Sequence, residues 1–376
     1  IFTVLFCAII GGLCITSLLL SDRGFSQVEN RELQLAPILR IGNVIDGSFG
    51  KSFEQYAQDQ FPGRDLWMKA KTAIDKYTGR FDNGNVYFGH EGRLFAKEHL
   101  DETQLAKNLE YINEFSARYA DTGMRLSLLV APTADSVQQR YLPRGVRAVL
   151  PDETPALASL SQNAHIPFCD VSGTLAAHAD EYIYYRTDHH WTTRGAYYAY
   201  AQWIEECAGM KAAPESAFSV TKVADDFLGT SYSKAPLPLQ KMDTIYRYDS
   251  LHSSAIKMTV EDAALTAVST SDSLYDTSYL KKKDKYAYFL SSNNPVTLIE
   301  SKADTGRRLL MLKDSYGNSF VPFLTEHFNE IVVVDMRYYR NSPQALIERY
   351  GITDMVFLYN IQTLSSDNNL VYLMRT

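Results

Sequence analysis

Three almost wholly apolar runs near the end of the chain limit its fold more than anything else in it. They are LLML at 309–312, IVVVDM at 331–336 and DMVFLY at 354–359. Each is followed by a turn, and the second leads into a helical stretch, Gln344 to Tyr350. A strand with one face in water alternates apolar and polar residues, whereas near-continuous apolar strands belong to sheets covered on both faces. Three strand–turn–helix units in succession therefore predict a parallel sheet in an α/β fold. RLSLLVA (125–131) and the stretch 166–171 read as further strands, after an amphipathic helix from Leu105 to Tyr119. Ligands of such sheets bind at the carboxyl ends of the strands. The residues there are Asp314, Ser315 and Asn318, then Arg337 and Tyr338, then Asn360. No GxGxxG or GxxxxGK[ST] follows a strand, which disfavours nucleotide binding.

A second signal is TDHHWT at 187–192. Tyr197, Tyr200, Ala201, Ile204 and Ala208 follow at helical spacing, with Thr192 placed as N-cap. Asp188 and His190 thus sit on a loop entering a helix. Separated by one residue, they suit acid–base work, the carboxylate on one ring nitrogen and the other nitrogen facing a reacting group. A metal held by Asp188, His189 and His190 is an alternative, but zinc would need more ligands than are nearby. A third reading makes the histidines a helix cap or polar filling.

The remaining sequence sets the context. Ile1 to Leu20 carries no charge and has the length of a transmembrane anchor. Residues 21–100 read as a juxtamembrane linker followed by helices over 46–77, broken at Pro62-Gly63, and a hairpin around GHEG. Residues 101–376 form the main domain, with a Ser-, Thr-, Asp- and Lys-rich insertion of short strands at about 211–285. Tyr286 to Leu290 and Val296 to Glu300 read as strands. A net charge of −7 without a basic run argues against nucleic acid. Of four cysteines, Cys169 and Cys207 lie outside the apolar terminus and can pair in an oxidising compartment.

Ser315, just past a buried strand, is placed as a nucleophile, but serine needs a base to take its proton. His190 and Asp188 supply base and orienting acid, and Asn360 an amide for an oxyanion. Together they describe acyl transfer through an acyl-serine. The segments TDHHWT and KDSYGNS (313–319), with SQVENREL (26–33), DQFPGRD (59–65), GHEGRLF (89–95), FLGTSYS (227–233) and DKYAYFL (284–290), resemble the SGNH hydrolase-like superfamily. The resemblance is to its DHHW branch and to alginate O-acetyltransferase proteins of the AlgX/AlgJ type. It implies Ser315 as nucleophile, His190 as base and Asp188 as third member, in an order permuted relative to ordinary SGNH esterases. Those carry glycine before the Asp-Ser pair, where Lys313 stands here; their second-block glycine has no counterpart, Arg337 or Tyr338 sitting at that strand end. It further implies O-acetylation of a polysaccharide outside the cytoplasmic membrane, with the acyl group delivered by a membrane-bound O-acyltransferase and no cofactor. A carbohydrate esterase with the same triad and a non-catalytic glycan-binding subunit are the alternatives. His189 is expected to point away from His190, and Trp191 to pack. Arg337 and Tyr338, with Tyr316 and Asn318, are expected to meet substrate, the tyrosines as sugar platforms.

Overall fold

The computed structural model describes residues 1–97, 99–252 and 256–375, with the backbone alone at Leu18. The chain divides into two compact units, Ile1–Val86 with Thr230–Gln240, and Tyr87–Gly229 with Lys241–Thr376.

In the first unit the apolar terminus forms helix α1, Phe2–Leu19, and the chain turns extended at Leu20. Among the described residues no helix is long and apolar enough to cross a membrane, so the anchor expected of Ile1 to Leu20 is not supported. Helices Ser48–Asp59 and Arg64–Tyr77 are separated at the expected Pro-Gly break, where Gly63 takes a left-handed φ of 68°. The two N-terminal motifs bind one another. Buried Asp59 takes Arg31 at 2.5 and 2.9 Å and the Gln34 N–H at 2.9 Å, and Glu29 pairs with Arg64.

The second unit is built on one eight-stranded sheet. Its strands are β1 (Arg125–Ala131), β2 (Phe168–Asp170), β3 (Lys257–Glu261), β4 (Ala267–Ser271), β5 (Val296–Glu300), β6 (Arg308–Lys313), β7 (Glu330–Val334) and β8 (Asp354–Asn360). The spatial order is β4-β3-β5-β7-β6-β8-β1-β2. From β7 to β2 all neighbours are parallel, and β5, β3 and β4 extend the sheet antiparallel. Alternate residues fill two cores. Leu309, Met311, Ile331, Val333, Val356 and Leu358 face one, with Tyr200, Trp203 and Ile204 of helix α2 (Thr193–Glu206). Leu310, Leu312, Val332, Val334, Met355 and Phe357 face the other, with Leu105, Ile112 and Phe115. Cover on both faces is the physical reason these strands carry so few polar residues.

Two sequence expectations differ from this architecture. The stretch read as an insertion supplies β3 and β4 to the main sheet, besides a separate ribbon of Phe218–Phe227 with Asp243–Ser250. Tyr286 to Leu290, read as a strand, instead contains a 3-10 helix, Lys285–Tyr288, whose Ala287 N–H is accepted by the Asp284 side chain. The local cap decides against the aromatic strand pattern.

Candidate active site

The site is assembled at the carboxyl edge of the central strands. Strands β7, β6 and β8 are adjacent and parallel, so the residues that follow them, Arg337, Ser315 and Asn360, share one sheet edge as expected. Beyond β6, Asp314 accepts from the Tyr316 N–H at 2.9 Å and the Asn360 N–H at 2.8 Å, tying two strand ends together. Burial pushes the Asp314 carboxyl above its ordinary range, against these hydrogen bonds and the Arg337 charge. Ser315 opens a 3-10 turn, Ser315–Ser319, and is half-buried while the other four residues are buried.

His190 comes to Ser315 from 125 positions earlier, its Nε2 lying 2.6 Å from Oγ. Its Nδ1 lies 2.5 Å from Asp188 Oδ1, which also accepts the His190 backbone N–H at 3.0 Å. A carboxylate only accepts, so the ring hydrogen belongs on Nδ1 and the lone pair of Nε2 faces the serine hydroxyl. Asp188 and His190 are 2% and 4% exposed.

The loop that carries them is tied down from several sides. Asp243, fully buried, accepts from Tyr182 Oη at 2.6 Å, the Arg186 and Thr187 N–H groups at 2.8 and 2.7 Å and Thr187 Oγ1 at 2.6 Å. Trp191 Nε1 donates to the Tyr316 carbonyl at 3.0 Å, and the Tyr316 hydroxyl donates to the His189 carbonyl at 2.5 Å. Thr192 caps α2 as expected, accepting from the Gly195 N–H. Gly229 passes so close to Asp188 that a Cβ there would lie 2.2 Å from Oδ2. Asp243, Gly229 and Tyr286, whose ring stacks on His190, were not among the expected site residues. FLGTSYS and DKYAYFL, the segments holding Gly229 and Tyr286, were the only signal for either; Asp243 had none.

Other expected residues have different surroundings. His189 does not point away: its ring lies 3.9 Å from that of His190, centroid to centroid. Ligand atoms of Asp188, His189 and His190 lie within 4.8 Å of one another, the only such group of three among the described residues. Tyr316 is 2% exposed and serves as a lock, not a platform. Asn318 donates to Asn293 Oδ1 at 3.1 Å, the oxygen that also accepts from buried Lys313 Nζ at 2.7 Å. That bond spends one Asn318 amide hydrogen, and its oxygen is buried. Asn360 caps the next helix through Oδ1 and spends one amide hydrogen on the Ala131 carbonyl at 3.0 Å. Arg337 grips both oxygens of Asp335 at 2.8 and 2.5 Å. Burial raises the Asp335 carboxyl, and Arg337 and Lys313 outweigh it, holding it below the ordinary range. Tyr338 is 51% exposed. Cys169 and Cys207 are free thiols.

A cavity of about 30 Å³ adjoins Asp188, His189, Tyr316, Asn360, Thr133 and Glu153. An open polar groove of about 600 Å³ is lined by Arg337, Gln362, Thr363, Ser366, Asn368 and Asn369.

The DHHW protein family matches residues 157–334. Among solved structures, a DHHW family protein from Eubacterium siraeum DSM 15702 is 26% identical, covering 77% of this chain and 95% of its own, with a TM-score of 0.67. Bacillus cereus PatB1, solved with a sulfonyl adduct, is 17% identical over 76% of this chain and 99% of its own, with a TM-score of 0.64. A more distant likeness, TM-score 0.48 at 16% identity over 76% and 93% of the chains, is to the O-acetyltransferase domain of Pseudomonas putida AlgJ. No curated protein matches the sequence. The stretch that matches the DHHW protein family model, residues 157–334, holds Asp188, His190 and Ser315 together and includes the TDHHWT and KDSYGNS segments.

Proposed function

We propose that this protein transfers acetyl groups to hydroxyls of a polysaccharide outside the cytoplasmic membrane, through an acyl-serine at Ser315. The Asp188–His190–Ser315 relay, at 2.5 and 2.6 Å, carries the reading. Ser315 Oγ attacks the acyl carbonyl as His190 Nε2 takes its proton, and Asp188 steadies the imidazolium. The tetrahedral intermediate collapses, and the departing donor oxygen leaves with the His190 proton. A sugar hydroxyl then attacks the acyl-serine, losing its proton to Nε2, and Ser315 recovers a proton as the ester departs. For the oxyanion we assign the Ser315 N–H, which has no acceptor among the described residues, and the remaining amide hydrogen of Asn360.

The two spaces fit a small acyl group and a large acceptor. A volume of about 30 Å³ holds about two waters, too little for a sugar ring. The open groove suits a polyhydroxylated chain, with Tyr338 exposed near its Arg337 end. The proposal includes delivery of the acyl group by a membrane-bound O-acyltransferase. The acetyl group and glycan acceptor come from the likeness of TDHHWT and KDSYGNS to O-acetyltransferase proteins. A carbohydrate esterase would use the same residues with water as acceptor.

The test supplies an acyl ester with oligosaccharides of the host polymer and follows products by mass spectrometry. Acetylated oligosaccharide made by the wild type and absent with Ser315→Ala is expected. Free acetate alone, with deacetylation of the native polymer, would move the assignment to the esterase. Turnover retained in Ser315→Ala would remove the triad.

A further inference from the structure

We propose that Tyr286 is a positioning residue for the transfer step, holding the base and the nucleophile in register with one side chain; this rests on the triad reading above. Its ring lies parallel to that of His190, with centroids 3.9 Å apart and planes at 9°. Its hydroxyl lies 3.0 Å from the carbonyl oxygen of Ser315 and 3.1 Å from Ser319 Oγ. The face of Tyr286 thus meets the base, and its tip meets the main chain of the nucleophile.

Tyr185 meets Tyr286 at 85° and Phe227 at 83°, whereas His190 lies on the Tyr286 face, as His178 lies on that of Tyr198 at 3.8 Å and 8°. Aromatic pairs commonly adopt either offset-stacked or T-shaped contacts. A parallel face suits an imidazole that becomes a cation, because the ring's negative face attracts positive charge. That attraction is stronger once His190 holds the serine proton than before, so it favours the transition state over the resting enzyme. With Asp188 on Nδ1 and Tyr286 against the ring face, His190 is restrained in plane and in rotation. Tyr185 and Phe289, 6.2 and 5.3 Å away, back Tyr286 from behind. The hydroxyl contact transmits the same restraint to the Ser315 turn, whose next carbonyl, that of Tyr316, is held by Trp191.

The test compares Tyr286→Phe, which keeps the face and loses the hydroxyl, with Tyr286→Leu and Tyr286→Met, which lose the face. Steady-state turnover of a chromogenic ester is measured in the wild-type and His190→Ala backgrounds, with thermal unfolding alongside. Losing the face is expected to lower kcat about 10- to 100-fold at a KM within about twofold, as displacing a reacting group does. Tyr286→Phe should restore most of that loss. In the His190→Ala background the Leu change should cost under about threefold, because residues acting as a unit are not additive. A merely structural tyrosine would cost the same in both backgrounds, and that result overturns the inference, as does unchanged kcat in Tyr286→Leu. If the Leu variant does not fold, Tyr286→Met carries the same comparison. Turnover surviving Ser315→Ala would instead overturn the triad reading, and the inference with it; normal kcat in Tyr286→Leu beside a dead Ser315→Ala would overturn the inference alone.

Discussion

A hydrogen atom stands at Gly229 where any other residue would drive a methyl carbon to 2.2 Å from Asp188 Oδ2. Gly229→Ala should displace Asp188, cutting ester turnover at least about tenfold and destabilising by about 1–3 kcal/mol, as overpacking does. Kinetics and denaturant unfolding on one preparation check both. His190→Ala should lose as much activity as Ser315→Ala, since triad members act together. His189→Ala should lose far less, measured on the same ester, because His189 touches the base by its ring and not the nucleophile. The meeting of Asp188, His190 and Ser315 was legible because they are polar groups at strand and helix boundaries, where few structural roles compete. The expectation that His189 points away from His190 did not hold. Here the Tyr185 N–H donates to the His190 carbonyl and Tyr184 bridges to Trp191, so the loop doubles back and both rings gather on one side. Asp243 escaped notice because its partner Thr187 lies 56 positions away, and no local pattern marks such a contact.

At the scale of elements, Glu153 joins the end of β1 to the helix Thr154–Asn163. It stands at that helix's N-cap and bonds Thr133 Oγ1 at 2.5 Å. Burial pushes its carboxyl up to about 7, with Asp135 adding to the rise and the Thr133 hydroxyl opposing it. The unfolded chain releases this proton near 4.3, so between the two values the folded state holds more protons. Stability therefore falls as pH rises from about 4 to about 7 and is level beyond, the loss being at most about 3–4 kcal/mol for this group. Glu153→Gln should flatten that slope in thermal unfolding at pH 5 and pH 8 and gain most at the higher pH. The strands β6, β7 and β8 were readable because burial on two faces leaves a one-sided composition. The turn at Lys285–Tyr288 was not, because its tyrosines follow a strand pattern while a single capping carboxylate selects the helical turn.

Across the whole molecule the parallel half of the sheet and the antiparallel β5 were legible, and β3 and β4 were not placed. Strand β4 shows why: four of its five residues are exposed, so burial imposed no pattern on it. Amide exchange should follow the same division, slowest in 309–312, 355–359 and 128–130, where both faces are covered, and fastest in 267–271. Mass spectrometry of deuterium uptake reads this directly; protection of 267–271 equal to that of β6 would contradict it. The sheet order has a consequence for biosynthesis. Strand β6, which delivers Ser315, lies between β7 and β8, and both of these follow it in the chain. A polypeptide emerging amino end first exposes Asp188 and His190 long before Ser315 exists. Once made, the nucleophile still waits for two later strands to close on either side of its own. A nascent chain that has not yet made β8 therefore lacks the finished strand order around Ser315.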